Sequence, residues 1–324
     1  MAALYQEIEP YAYGMLDVGD GNRVYWEACG NPDGKPAVVL HGGPGSGCTA
    51  DLRRYFDPRA YRIVLFDQRG CGRSVPYAGD AGTDLSVNTT DHLLADMELL
   101  REHLGIERWL LFGGSWGTTL ALVYGQRHPE RVSEIVLMAV TSTRRCEIDW
   151  LYHGLGRFLP EAWARFREGV PAGWRDGDLV EAYHRLLADA DPAVRERAAR
   201  EWCAWELAVA YADVGGPGDA GGAQRFDPRF EMAFARIVTH YFRHGAWLTE
   251  SEVLRNASKL AGTPGTMVHG TLDLGAPLVT AWELARAWPE SDLVVVPGAG
   301  HDSKHGGMIE HLVAATDRYA GRDR

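Results

Sequence analysis

The chain has 324 residues, 46% of them hydrophobic, which is too long and too apolar for a disordered tail or a disulfide-stapled mini-domain. With 33 basic against 44 acidic side chains the formal net charge is −11, and no basic block is present. Such a balance argues against nucleic acid or anionic membrane as a partner and suits a soluble protein with a neutral or cationic ligand. The five cysteines (Cys29, Cys48, Cys71, Cys146, Cys203) are odd in number and form no CxxC pair. That usage reads as reduced thiols, with no disulfide framework and no zinc knuckle. The first ten residues carry Glu7 and Glu9 where a secretory leader needs a basic start, and no stretch approaches a membrane span, so a cytoplasmic location is expected.

In chain order, residues 15–29 read as a hairpin around Asp20-Gly21, a good tight-turn dipeptide. Short apolar runs follow at 37–41, 62–66, 109–112 and 134–138, and two more at 266–270 and 293–297. Runs apolar on both sides suit a parallel sheet covered by helices on both faces. Helix-like segments at 90–104, 116–127 and 278–288 lie between them, so the expected fold class is doubly wound α/β. From 141 to 255 no strand run is convincing, and six of the eleven tryptophans fall there among helix-forming stretches. This block is read as a helical cap over the site, inserted into a core of residues 1–140 and 256–324. Its aromatics suit cap packing or a substrate pocket equally well. The Gly/Asp-rich stretch 212–222 within it reads as a mobile loop.

The sharpest chemical signal is Gly113-Gly114-Ser115-Trp116-Gly117, which ends one apolar run and opens a helix-like stretch. G-x-S-x-G between strand and helix is a nucleophile elbow, in which small neighbours permit a strained turn that lifts the serine hydroxyl clear of the sheet. The second is His41-Gly42-Gly43-Pro44-Gly45, also directly after a strand. Acyl transfer needs backbone N–H donors for its oxyanion, and the amides of Gly43 and Trp116 are the candidates.

A serine nucleophile needs a base, and the base an orienting acid. Asp273 in GTLDLGAP and His301 in PGAGHDS follow expected strands, in the chain order Ser–Asp–His of this scaffold. His305, four residues beyond His301, suggests a helical metal pair, but no third ligand is evident. His41 reads as a buttress of the glycine loop, and His92, His103, His128 and His153 as helix surface.

HGGPG, DQRGCGRS (67–74), GGSWG, RRCEIDWLY (144–152), WCAWE (202–206), ARIVTHYF (235–242) and AWPESDLVVVPGAGH (287–301), in that order, resemble the prolyl aminopeptidase (proline iminopeptidase) family over nearly the whole chain. The resemblance implies an α/β-hydrolase serine peptidase with a helical cap and neither metal nor cofactor. It places Ser115, Asp273 and His301 on the family's triad. It also implies substrate contacts from Glu206, which would hold the free amine, from Phe242 against a proline ring, and from Trp150 and Tyr152. Two positions depart from the pattern. Val238 stands where ARIENHYF-type sequences carry a second carboxylate, and Thr141 replaces an aromatic of RGIFTLRR-type sequences. Both changes should weaken charge compensation and proline fit.

The expected activity is release of an N-terminal aminoacyl residue, prolyl or a small one such as alanyl, from a peptide or amide. The alternatives are hydrolysis of an aminoacyl amide of a non-peptide amine in specialised metabolism, and a general carboxylesterase, which needs the same triad but no amine anchor. A binding module with a vestigial site is disfavoured because both glycine loops and all three triad residues are present. Nothing in the sequence indicates an oligomeric state.

Overall fold

The computed structural model describes residues 4–212, 226–301 and 306–321. Nearly all of the glycine-rich 212–222 stretch, and His305, lie outside the described residues.

The chain opens with a hairpin of β1 (Pro10–Asp17) and β2 (Arg23–Gly30). Its turn holds Asp20 at φ 53° and Gly21 at φ 73°, the left-handed region that the Asp-Gly pair favours. β3 (Lys35–Leu40) and β4 (Tyr61–Phe66) follow, then α1 (Thr90–His103), β5 (Trp109–Gly114), α2 (Trp116–Arg127) and β6 (Val132–Met138). After a long helical stretch the sheet resumes with β7 (Gly265–Gly270), α9 (Leu278–Ala287), β8 (Ser291–Val296) and α10 (Gly306–Ala320). The strands form one sheet in the order β1-β2-β4-β3-β5-β6-β7-β8. The pairs of β2 with β1 and β4 are antiparallel and all others parallel.

Alternate residues of the central strands feed two cores, as the period of a strand requires. Val38, Val64, Leu111 and Leu137 pack on one face with residues of α1, α2 and α9. Val39, Ile63, Phe112 and Val136 pack on the other with Met308, Leu312 and Tyr319 of α10. β5 and β7 are buried at every position, which is why they read as unbroken apolar runs. At the foot of the sheet Lys35 makes a buried ion pair with Glu134 (2.6 Å) and donates to the Tyr319 carbonyl (2.9 Å), which ties α10 to the strands.

Between β6 and β7 lie α3 (Arg145–Tyr152), α4 (Pro160–Glu168), α5 (Leu179–Leu187), α6 (Pro192–Ala210), α7 (Pro228–Arg243) and α8 (Glu252–Arg255). Two of these starts are written in the sequence. Asp191 and Asp227 each cap a helix whose first residue is proline, accepting from the N–H two positions on (2.9 and 2.8 Å). The helices pack through aromatic rings, with Tyr152 against Trp202 (4.7 Å between ring centres) and Phe166 stacked on Tyr183 (4.6 Å) and Trp205 (5.3 Å), in a cluster continuous with one core of the sheet. No helix among the described residues is long and apolar enough to cross a membrane.

Candidate active site

Ser115 sits between the end of β5 and the start of α2 at φ 53°, ψ −124°, a backbone state rarely adopted by residues other than glycine. The small neighbours have definite causes. A Cβ on Gly113 would run into the Gly117 carbonyl, and one on Gly117 into the Leu40 carbonyl. The turn is pinned where the Ser115 N–H donates to the Met138 carbonyl (3.1 Å) and the Thr118 hydroxyl to the Ser115 carbonyl (2.7 Å). Trp116 is the first residue of α2, so its N–H has no acceptor within the helix.

The glycine loop after β3 packs directly on this turn: a Cβ on Gly42 would lie 3.2 Å from that of Ser115. Gly43 takes φ 110° and lines the same cavity as Ser115 and Trp116. The DQRG segment latches the loops together. Gln68 donates its backbone N–H to His41 Nε2 and its side-chain amide to the His41 carbonyl (both 3.0 Å), and accepts from the Trp116 indole (3.0 Å). His41 is buried, which holds its pKa below the usual imidazole value. It braces the glycine loop, in keeping with its reading as a buttress.

His301 follows β8 and Asp273 follows β7, and the fold brings both to Ser115. His301 Nε2 lies 3.1 Å from Ser115 Oγ, and Nδ1 lies 2.8 Å from Asp273 Oδ1. Asp273 is buried and its Oδ1 also accepts the Ala276 N–H (2.8 Å). A further histidine escaped the sequence reading because it sits inside an apolar strand run. His269 of β7 is fully buried, and its Nδ1 accepts the Val140 N–H (3.1 Å). The proton is therefore on Nε2, which donates to the Ala276 carbonyl (2.7 Å). Burial keeps this ring neutral by lowering its pKa. His269 thus clamps the 273–276 loop to the end of β6, with Nε2 3.7 Å from Asp273 Oδ2.

Ser115 opens on a cavity of about 310 Å³ roofed by α6 and α7. Glu206 and Phe242 line it, as do Thr141 and His301. Glu206 Oε1 accepts from the Tyr152 hydroxyl (2.5 Å), and burial pushes the carboxyl up to about 7 against the lowering effects of that hydrogen bond and of His301. Tyr152 itself is fully buried behind Glu206 and is not among the lining residues. Nor is Trp150, whose indole donates to the Leu274 carbonyl (2.8 Å) and so braces the Asp273 loop. Val238 is wholly buried and packs in the core. The Thr141 hydroxyl donates to Glu147 (3.1 Å). None of the six tryptophans of the helical block lines the cavity. Its aromatic wall is instead Phe226, Phe230 and Phe234, with ring centres 5.0 and 5.6 Å apart along the start of α7. A phenylalanine every fourth residue is the signal that could have found them.

Residues 35–307 match the sequence pattern of the alpha/beta hydrolase fold. The chain is 57% identical to a protein of Streptomyces coelicolor named "Probable proline iminopeptidase", over 98% of each chain. It is 48% identical to a proline iminopeptidase of Xylella fastidiosa, over 98% of this chain and all of that one. The chain belongs to the proline iminopeptidase family of alpha/beta hydrolases. Among solved structures, a proline iminopeptidase-related protein from Thermus thermophilus is 26% identical, covers 97% of this chain and 98% of its own, and superposes with a TM-score of 0.58.

Proposed function

We propose that the protein is a serine aminopeptidase that releases an N-terminal prolyl or small aminoacyl residue from a peptide or amide through an acyl-enzyme. The observation that carries this reading is the unbroken line Asp273–His301–Ser115 opening on a cavity that holds a half-buried carboxylate, Glu206. Ser115 Oγ attacks the scissile carbonyl carbon and its proton passes to His301 Nε2, while Asp273 stabilises the imidazolium. The amides of Gly43 and Trp116 donate to the oxyanion. The C–N bond then breaks and the leaving amine takes the proton from His301. Water, deprotonated by the same imidazole, hydrolyses the ester and frees the amino acid and Ser115.

Glu206 anchors the substrate ammonium, an interaction unavailable to a plain ester. Residues 141–255 act as a cap whose helices α6 and α7 supply the amine anchor and the aromatic wall. With threonine at 141 on the cavity wall the pocket is less committed to proline, so alanyl substrates are cleaved too. The leaving group is a peptide or a non-peptide amine. Five free thiols support a cytoplasmic location.

Initial rates on prolyl and alanyl anilides and on p-nitrophenyl acetate, for the wild type and Ser115→Ala, test the reading. Anilide cleavage that is lost with Ser115 supports it. Cleavage of the ester alone would favour the carboxylesterase, and unchanged activity in Ser115→Ala would remove the nucleophile assignment.

A further inference from the structure

Ser115 faces a second cavity besides the one that holds Glu206. It measures about 290 Å³, near the lower end of the range for ligand sites. The two share Gly42, Ser46, Ser115, Ala210, Tyr211 and His301, so they meet at the reacting atoms. Their remaining walls differ in origin. The first lies under α6 and α7, whereas the second reaches down to the opposite face of the sheet, where Val39, Phe112 and Met138 top the core shared with α10. Leu52, half-buried against the same core, closes one side, and the exposed Thr49 stands at its rim.

A tetrahedral centre formed at Ser115 carries its acyl substituent and its leaving nitrogen in different directions. The oxyanion occupies a third, toward Gly43 and Trp116. If the amine and acyl portion lie in the cavity of Glu206, the leaving group extends into the other one. His301 lines both, as the group that must hand its proton to the departing nitrogen has to do. We infer that this second cavity is the leaving-group site and that it selects a neutral, apolar residue, of leucine or methionine size, directly after the scissile bond. The inference rests on the aminopeptidase reading above and adds the substrate class on the far side of the bond. Its chemistry is the removal of one aliphatic or thioether side chain from water against Leu52, Phe112 and Met138.

The test is kcat/KM for aminoacyl-X-amides with X = Leu, Met, Gly, Asp or Lys, the C-terminal amide removing the free carboxylate from every member. The unsubstituted aminoacyl amide, which releases ammonia and places nothing in the second cavity, is run beside them. Leu and Met are expected to exceed Gly by about tenfold or more, the effect of burying one such side chain. Thr49→Glu and Thr49→Arg locate the effect. The Lys-to-Asp rate ratio within each variant should rise about fivefold with the carboxylate and fall about fivefold with the guanidinium. Both substitutions are at an exposed position, so folding is not at stake, and each ratio is internal to one protein. Equal rates for Leu and Gly would overturn the inference while leaving the aminopeptidase intact. A Leu preference with an unmoved Lys-to-Asp ratio in both variants would show that selection occurs elsewhere, which also overturns it. Failure to cleave any aminoacyl amide, with p-nitrophenyl acetate still turned over, would instead sink the aminopeptidase reading itself.

Discussion

Glu206→Gln is the substitution on which the amine-anchor role depends most directly. The carboxyl accepts from the Tyr152 hydroxyl, and burial raises its pKa from 4.5 to about 7. Only the ionised form holds an ammonium group. At pH 6 the wild type must first lose that proton, which costs about 1.4 kcal/mol, or tenfold in kcat/KM on an amine-bearing substrate. p-Nitrophenyl acetate has no amine and escapes this dependence. Glutamine keeps an acceptor for Tyr152 but offers the ammonium a neutral carbonyl, so the variant should lose about tenfold on alanyl anilide at pH 8. Its anilide profile should also flatten toward that of the ester.

The same residue carries a stability signature of opposite sign. Folding raises this acid's pKa, so the folded chain holds the proton more tightly than the unfolded chain. The resulting destabilisation is absent below about pH 4.5, grows with rising pH and is complete above about pH 7, where it reaches about 3 kcal/mol. Glu206→Gln should therefore melt higher than the wild type at pH 8 and together with it near pH 4.5. Kinetics from pH 5.5 to 8.5 on the two substrates, with thermal melts at pH 4.5 and 8, measure both effects. Equal loss on anilide and ester, or an anilide profile in the variant that stays steeper on its acid side than the ester profile, would refute the reasoning.

Tyr152→Phe removes a hydrogen bond that lowers the Glu206 pKa, so the acid limb for the anilide should move to higher pH with the ester profile unchanged. His269→Leu releases the Asp273 loop and should lower kcat about ten- to a hundredfold with little change in KM, while His269→Gln, which can both accept from Val140 and donate to Ala276, should recover part of it. Gly117→Ala sets a methyl against the Leu40 carbonyl and should destabilise by about 3 kcal/mol; loss of fluorophosphonate labelling together with a lower melting temperature would record it.

The parallel strands were legible because burial on both faces leaves an unbroken apolar run, and α2 begins and ends where its pattern does. β1 was read five residues short. Its outward positions carry Tyr11, Tyr13 and Met15 and its other face includes Ala12 and Gly14, so the usual contrast between polar outside and apolar inside is missing. Ser115, Asp273 and His301 could be named from local motifs, since each follows its own strand. His269 could not, because its bond to Val140 spans 129 residues and a buried histidine in a strand has no local signature. Trp150 and Tyr152 were placed one layer too close to the cavity for a related reason: a motif gives position along the chain, but not which side of a helix faces the opening.

The order of the strands has a consequence for how the protein is made. β5, β6, β7 and β8 are neighbours in both chain and sheet, so the sheet grows at one edge as synthesis proceeds. Ser115 can be set in its turn early, on strands already paired. Its imidazole partner arrives 186 residues later, after the whole helical block has left the ribosome. Domains assemble as the chain emerges, and contacts this distant in sequence form late. A nascent chain therefore displays a serine without a base and stays inert toward its neighbours until its last strand is laid down.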